Sequence, residues 1–481
     1  ISTHYFQPTI GGDLALLQGL IKAVLAAEET QKNILDKEFI ENHTSGLLEL
    51  REEIGKTDWS VIESESGLSR TKIEEVASLY CESKKVIACW AMGLTQQKHA
   101  VSTIQHIVNL LLLRGNIGRP GAGVCPVRGH SNVQGDRTVG ITEHPNESFL
   151  KNLDVQFGIS SPRNSGFNTV QAIQAMESKS VKVFMGMGGN FARATPDSSR
   201  TEEALAKCEL TVQVTTKLNK THLAHGKKAL ILPCLGRSEL DVQASGEQSV
   251  TVEDSMGVVH SSRGRNQPAS ENLKSEVAIV VGMARAAFPD NQKIWQVLQD
   301  DYSLIRKKIE SVLPELFENY NEKITQPGGF RLYNSAAARK WNTKTGKARF
   351  ITKPLPILEV PAGKLRLMTI RSHDQYNTTI YGLNDRYRGI FGTRRVILMN
   401  LQDMASLGIE HGQKVVIESH MEDGRKRQVS GFHAVRYNIP QGCAASYFPE
   451  TNELIAVEYT ADRSYTPISK LVPVTVYKSS E

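Results

Sequence analysis

The chain has 481 residues, of which 40% are apolar and 22% charged, with a net charge of +6. That length predicts about three domains. The composition is that of an ordinary globular protein, and a charge this mild makes no case for nucleic acid while suiting an anionic small-molecule cofactor. No apolar run approaches the roughly 20 residues that cross a bilayer, so membrane insertion is not expected. The chain opens on Ile1 with no secretory h-region, a start that predicts a fragment or a processed chain.

In chain order, Leu14 to Glu29 spaces its apolar residues as a helical stripe, with Gly11, Gly12 and Asp13 leading in. Asp13 reads either as the N-cap of that helix or as part of an anion or purine site at its N-terminus. Thr71 to Tyr80 is a second helix with a Thr71…Glu74 capping-box pattern. Lys85 to Met92 reads as a buried strand ending at Gly93, and Val101 to Leu113 as a helix stopped by Gly115. Helix, strand, loop and helix in that order predict a parallel α/β domain.

The glycine-rich stretch from Arg114 to Gly140 follows, with Arg128, His130, Asn132, Gln134 and Asp136 close together. Its interleaved apolar residues predict a packed irregular loop, and a loop this long is functional or disordered. A second α/β unit then runs through a helix over 170–178, a strand over 181–185, the loop GMGGNFARATPD, and strands over 210–215 and 229–232. Ligands of open parallel sheets sit beyond the carboxyl ends of the strands. Gly186, Gly188, Asn190, Asp197, Thr215, Thr216 and Lys217 therefore become candidates. Phe191 stands where a dinucleotide fingerprint needs its third glycine, which disfavours an NAD site.

Residues 266–334 read as helical, and 344–360 as a connection. From Lys364 six short strands are expected, over 365–370, 395–399, 414–418, 427–433, 443–447 and 471–477, with one brief helix over 401–407. They suggest a small closed barrel. Six cysteines, Cys81, Cys89, Cys125, Cys208, Cys234 and Cys443, form no C-x-x-C pair. They read as reduced, mostly buried thiols of a cytoplasmic protein.

Little in the sequence marks catalysis by itself. His222 and His225 lack partners for a metal site, and no metal ligand is assigned. Arg128 is an always-charged fork in a glycine-flanked turn, suited to a structural salt bridge or to a carboxylate or phosphate ligand. The run TIRSHDQYNTTIYG from Thr369 to Gly382 reads as a strand end, followed by either a solvated loop or a polar and aromatic site.

WAMGLTQQKHA, NLLLLRGNIGRPGAGVCPVRGHSNVQGD, MGMGGNFARATPD, VTTKLNKTHLAHGKKALILPCLGRSELD, LMTIRSHDQYNTTIYG and FPETNEL occur in that order. In this combination the chain resembles the molybdenum oxidoreductases that use a bis(molybdopterin guanine dinucleotide) cofactor, and within them the formate dehydrogenase alpha-subunit branch. The resemblance implies α/β domains with parallel sheets plus a C-terminal six-stranded double-psi β-barrel. It divides the chain into an α/β domain over 1–128, a dinucleotide-binding α/β domain over 129–335, a linker over 336–363 and the barrel over 364–481.

It further implies that Gly12, Asp13, Gly93 and Gln96 border one pterin dinucleotide, with Asn132 on the pterin border after Arg128. Gly188, Asn190, Asp197, Thr216 and Lys217 would hold the other guanosine, and Arg371, His373, Tyr376, Asn377, Thr378, Asn452 and Lys470 would reach the pterin from the barrel. Arg128 matches the substrate-binding arginine of formate dehydrogenases, and His130 stands where the familiar members have Gln. That departure brings the chain nearer to acid-resistance-linked homologues with little or no formate activity. By the same resemblance the metal ligand and the cysteines of a 4Fe-4S cluster lie upstream, and an electron-transfer partner protein is implied.

Overall fold

The computed structural model describes residues 2–130, 132–358, 360–378 and 380–480. Ser131 and Thr379, inside the two stretches singled out above, lie outside the described residues. The chain forms two compact units, one of Ile1–Cys125, Arg193–Thr201 and Asn334–Glu481, the other of Pro126–Ala192 and Glu202–Tyr333.

The α/β part of the first unit is built on the helix Asp13–Gln31, which packs on the helices Trp59–Ser66, Arg70–Glu82 and Ala100–Leu113. Its apolar stripe is buried through Leu20, Ile21 and Val24, in a core shared with Leu50, Ile62, Ile73 and Leu111. Gly19 permits the close approach, since a Cβ there would lie 2.9 Å from Ile62 and 3.1 Å from Ile73. Two capping expectations are corrected. Gly12, not Asp13, precedes the first helix as its cap, its carbonyl accepting from the Leu16 N–H at 3.0 Å, and a Cβ there would meet the Glu65 carbonyl at 2.6 Å. The second helix is capped by Ser69, whose hydroxyl accepts from the Lys72 N–H, so Thr71 sits inside it. The strand expected over 85–92 is shorter, Ile87–Trp90, and pairs with the strand Gly123–Pro126.

In the barrel, six strands close in the order Leu365–Ile370, Cys443–Tyr447, Val396–Met399, Arg427–Arg436, Lys414–Ser419 and Val472–Lys478. Two pairings are parallel, Leu365–Ile370 with Cys443–Tyr447 and Val396–Met399 with Arg427–Arg436, and the other four are antiparallel. Alternate residues point inward along a strand, and Leu367, Ile397, Val415, Ile417, Phe432, Val472 and Val474 fill the interior. The closed six-stranded barrel expected from the sequence is present.

The second unit contains a three-stranded parallel sheet, Val183–Met187, Leu210–Thr215 and Lys228–Pro233, with Leu210–Thr215 in the middle. The first of these strands starts two residues later than expected. The Val181 N–H is taken by the Ala175 carbonyl at the end of the preceding helix. An antiparallel hairpin, Val250–Glu253 with Val258–Ser262, packs Val259 against Phe317, Tyr320 and Ile324. Parallel sheets are normally covered on both faces, yet Val183, Leu230 and Ile231 are 56%, 50% and 44% exposed.

Candidate functional site

The loop after the barrel strand Leu365–Ile370 gathers cations at one end of the barrel. Lys470 is buried and its Nζ donates to the carbonyl and the Oγ1 of Thr369. Burial first, then the charge of Arg371, holds its ammonium down to about 7. Arg371 lies over the Phe448 ring at 3.6 Å, and burial followed by Arg394 holds it down to about 10. Arg394 is itself buried between the Tyr381 and Tyr447 rings and bonds to Glu450 at 2.6 Å. Of these three cations Arg394 has the Glu450 carboxylate as its partner, and burial holds the other two below their ordinary values. An anion placed among them would relieve both.

Other expected barrel residues line the same loop. His373 Nδ1 is 3.0 Å from the buried Asp385, which also accepts from Arg388 at 2.6 Å and from the Tyr447 hydroxyl at 2.9 Å. Arg388 donates in turn to the Arg371 carbonyl at 3.0 Å. Tyr376 pairs its backbone with Ile380 in a tight turn, with Asn377 at φ +48° and Thr378 buried beside it. Asn tolerates that left-handed conformation better than most residues.

From the α/β part, the Gln96 carbonyl accepts from the Lys470 N–H at 3.1 Å and its Oε1 from the Ser469 hydroxyl at 2.7 Å. Gln97 bonds both Asp13 Oδ2 at 2.8 Å and the Gly93 carbonyl at 2.7 Å, joining two more expected residues. Burial pushes the Asp13 carboxyl up. Asn452 donates to the Arg193 and Thr195 carbonyls, and its own carbonyl accepts from the Asp197 N–H at 2.9 Å. Asp197 pairs with Arg427 at 2.7 Å, and burial still pushes its carboxyl up against that pull. Asp197 is therefore committed to the protein's own Arg427.

In the second unit, Gly188 and Gly189 follow the strand Val183–Met187 at φ +66° and +70°, with open space where a Cβ would stand. Such a turn exposes backbone N–H groups to a ligand. Thr216 and Lys217 are exposed just beyond the neighbouring strand Leu210–Thr215. Asn190 is buried and accepts from the Thr221 hydroxyl at 2.9 Å, while Asn219 holds the Gly189 carbonyl at 2.6 Å.

The Arg128 segment rests on the hairpin of the same unit. The Arg128 N–H donates to Ser255 Oγ at 3.2 Å, and Asn132 Oδ1 accepts from the Glu253 N–H at 3.0 Å. The stretch is less irregular than expected, containing the strand Gly123–Pro126 and the helix Val133–Thr138. Packing also holds only in part, since Ile117 is buried while Val124 and Val127 are exposed. Arg128 and His130 are exposed. Glu253 is buried nearby, and burial pushes its carboxyl up against the pull of Arg128.

Two fitted family models decide what this arrangement belongs to. Residues 5–229 match the model described as molybdopterin oxidoreductase, and residues 365–474 the one described as molydopterin dinucleotide binding domain. The chain belongs to the molybdopterin oxidoreductase family. An uncharacterized oxidoreductase of Mycobacterium tuberculosis is 49% identical over 98% of this chain and 62% of its own length. Protein YdeP of Escherichia coli K12 is 44% identical over all of this chain and 64% of its own. The chain thus spans a little under two thirds of these relatives. Formate dehydrogenase H of the same organism is 27% identical over 44% of this chain and 30% of its own length. Acetylene hydratase from Pelobacter acetylenicus superposes with a TM-score of 0.67 at 16% identity, over 98% of this chain and 71% of that one, a likeness of fold.

A molybdopterin dinucleotide is an anion with a pyrophosphate, and the residues of each unit fit one. The barrel offers cations that burial holds below their ordinary values, and the sheet offers an open glycine turn. Several residues at these places escaped the sequence reading, namely Gln97, Asp385, Arg388, Arg394, Arg427, Thr221 and Glu253. Most make at least one bond to a residue far along the chain, Gln97 to Asp13, Asp385 to Tyr447, Arg427 to Asp197 and Thr221 to Asn190, which local spacing does not mark. Among the described residues no group of three or more His, Cys, Asp or Glu could hold a metal ion.

Proposed function

We propose that this chain supplies the cofactor-holding and substrate-facing residues of a bis(molybdopterin guanine dinucleotide) enzyme. The reaction proposed is the two-electron oxidation of formate, or of another small anion, at molybdenum or tungsten. The observation that carries this reading is Arg128. Its guanidinium is exposed, its backbone is fixed to Ser255, and among the described residues no carboxylate closes an ion pair with it. A planar fork of that kind binds a carboxylate in two parallel hydrogen bonds.

In this reading Gly12, Asp13, Gly93 and Gln96 border one dinucleotide. Gly188, Asn190, Thr216 and Lys217 serve the other guanosine, whereas Asp197, assigned there by the resemblance, is committed to Arg427. Arg371, His373, Tyr376, Asn377, Thr378, Asn452 and Lys470 serve the pterin, with Asn132 on its border. When bound, the cofactor supplies the redox chemistry, and the protein supplies position and charge. Arg128 orients the substrate carboxylate. Formate loses two electrons and one proton to become carbon dioxide, and a ring nitrogen of His130 takes the proton.

The proposal extends to the domain division at 128, 335 and 363, to a cytoplasmic setting, and to an electron-accepting partner protein. A 4Fe-4S cluster would be held by other residues of the longer protein. His130, standing where the familiar formate dehydrogenases carry Gln, favours a second reading, a cofactor-binding stress protein with little formate activity. The test is steady-state oxidation of formate by full-length, metal-loaded protein. Arg128→Ala should lower kcat/KM by about 100-fold or more, as loss of a charge-assisted contact to a substrate does, with metal content unchanged. Undiminished turnover in that variant sinks the role of Arg128, and metal-loaded wild type inert towards formate, nitrate and other oxyanions with artificial dyes selects the second reading.

A further inference from the structure

The strands Ile87–Trp90 and Gly123–Pro126 bring two cysteines of the first unit together. They pair as a two-stranded sheet, with the Gly123 N–H on the Val86 carbonyl at 2.9 Å. Cys89 and Cys125 stand on these two paired strands, 36 positions apart in sequence, with their thiols close enough to influence each other's ionisation. Cys89 is exposed and Cys125 half-buried, whereas Cys208, Cys234 and Cys443 are buried. This departs from the expectation of mostly buried thiols. It also leaves one pair in which two sulfurs meet at an accessible place.

We propose that Cys89 and Cys125 form a redox-active dithiol that a peroxide or a small-molecule disulfide closes to an intramolecular disulfide. With peroxide, one thiolate attacks an oxygen, leaving a sulfenic acid and water. The second thiol then attacks that sulfur, so that the S–S bond forms and a second water leaves. Overall two thiols are oxidised by two electrons, and one peroxide is reduced to two waters. With a small disulfide, the first thiolate displaces one small thiol to give a mixed disulfide, and the second displaces the other. Both routes follow ordinary thiol–disulfide chemistry.

The surroundings set the rate. Cys89 is pushed up by desolvation and then by its neighbour Cys125, because two adjacent thiolates repel. The thiolate is the attacking form, so closure should quicken by roughly tenfold per pH unit below the thiol's ionisation. The other cysteines compete poorly. Burial pushes Cys81, Cys208 and Cys443 up and Cys234 to about 11, and the last three are also shielded from reagents.

The site stands three residues before Arg128 but needs no substrate, metal or turnover, so its test is separate from that of the proposed function. Full-length protein is reduced, desalted and incubated without air at pH 7 and pH 8 with hydrogen peroxide or oxidised glutathione. It is then alkylated, digested without reduction and analysed by mass spectrometry. The expected result is a cross-linked pair of peptides containing Cys89 and Cys125, about tenfold faster at pH 8, a loss of two thiols per chain, and recovery with dithiothreitol. Cys89→Ser, which leaves Cys125 alone, should give no cross-link and should retain glutathione on Cys125. Wild-type Cys89 that stays fully alkylatable, or two glutathione adducts with no cross-link, overturns the proposal.

Discussion

Lys470 places a cation in a buried position, and the consequence can be measured through pH. Its folded value is about 7 against an ordinary 10.5, so between those limits the unfolded chain holds a proton that the folded one does not. Stability from this group is present above the ordinary value and is lost as pH falls through about 7. Protein free of cofactor should therefore unfold at a higher temperature at pH 9 than at pH 7 in a thermal scan. Lys470→Met should remove that slope without lowering stability, since an apolar replacement of a poorly paired buried charge is often neutral or stabilising. It should also abolish retention of the pterin, read by fluorescence of the oxidised cofactor. A slope unchanged by the substitution would count against Lys470 as its source. Arg128 drew attention in the sequence through its glycine-flanked turn, whereas Gln96 and Lys470 entered only through the family resemblance. Arg427 was not legible, since its partner Asp197 is 230 positions away, and Asp385 meets the Tyr447 hydroxyl across 62. Charge pairing over such spans leaves no periodic trace.

At the level of elements, legibility followed the way each one is stabilised. The barrel strands Leu365–Ile370 and Cys443–Tyr447 have the bounds expected from their apolar pattern and the turns beside them. The helices Lys37–His43, Leu47–Lys56 and Trp59–Ser66 were missed, being short segments that gain their order from packing on the helix Asp13–Gln31 and its core. The hairpin Val250–Glu253 with Val258–Ser262 was missed too, although it carries the Arg128 segment through Ser255 and Glu253. Leu367, with no exposed surface, sits at the centre of the barrel interior. Leu367→Ala should cost about 2–5 kcal/mol through lost burial and the cavity left behind, checked by urea denaturation. A loss under about 1 kcal/mol would mean that the barrel closes around the gap.

For the molecule as a whole, family membership was legible because six motifs recur in order, while the substrate was not, since one exposed arginine suits many small anions. The sheet of the second unit adds a practical consequence. Its strand Lys228–Pro233 presents Leu230 and Ile231 half-exposed on an edge, and Val183 is open on the opposite edge strand. Bare apolar surface and unpaired strand edges invite other chains. These 481 residues, prepared alone, should behave as a colloid with attractive particles. The light-scattering second virial coefficient should be negative and 1-anilinonaphthalene-8-sulfonate should fluoresce on binding, both relieved when Leu230 and Ile231 are changed to Lys. A dilute solution that scatters as repelling particles and leaves the dye dark would show those edges to be covered.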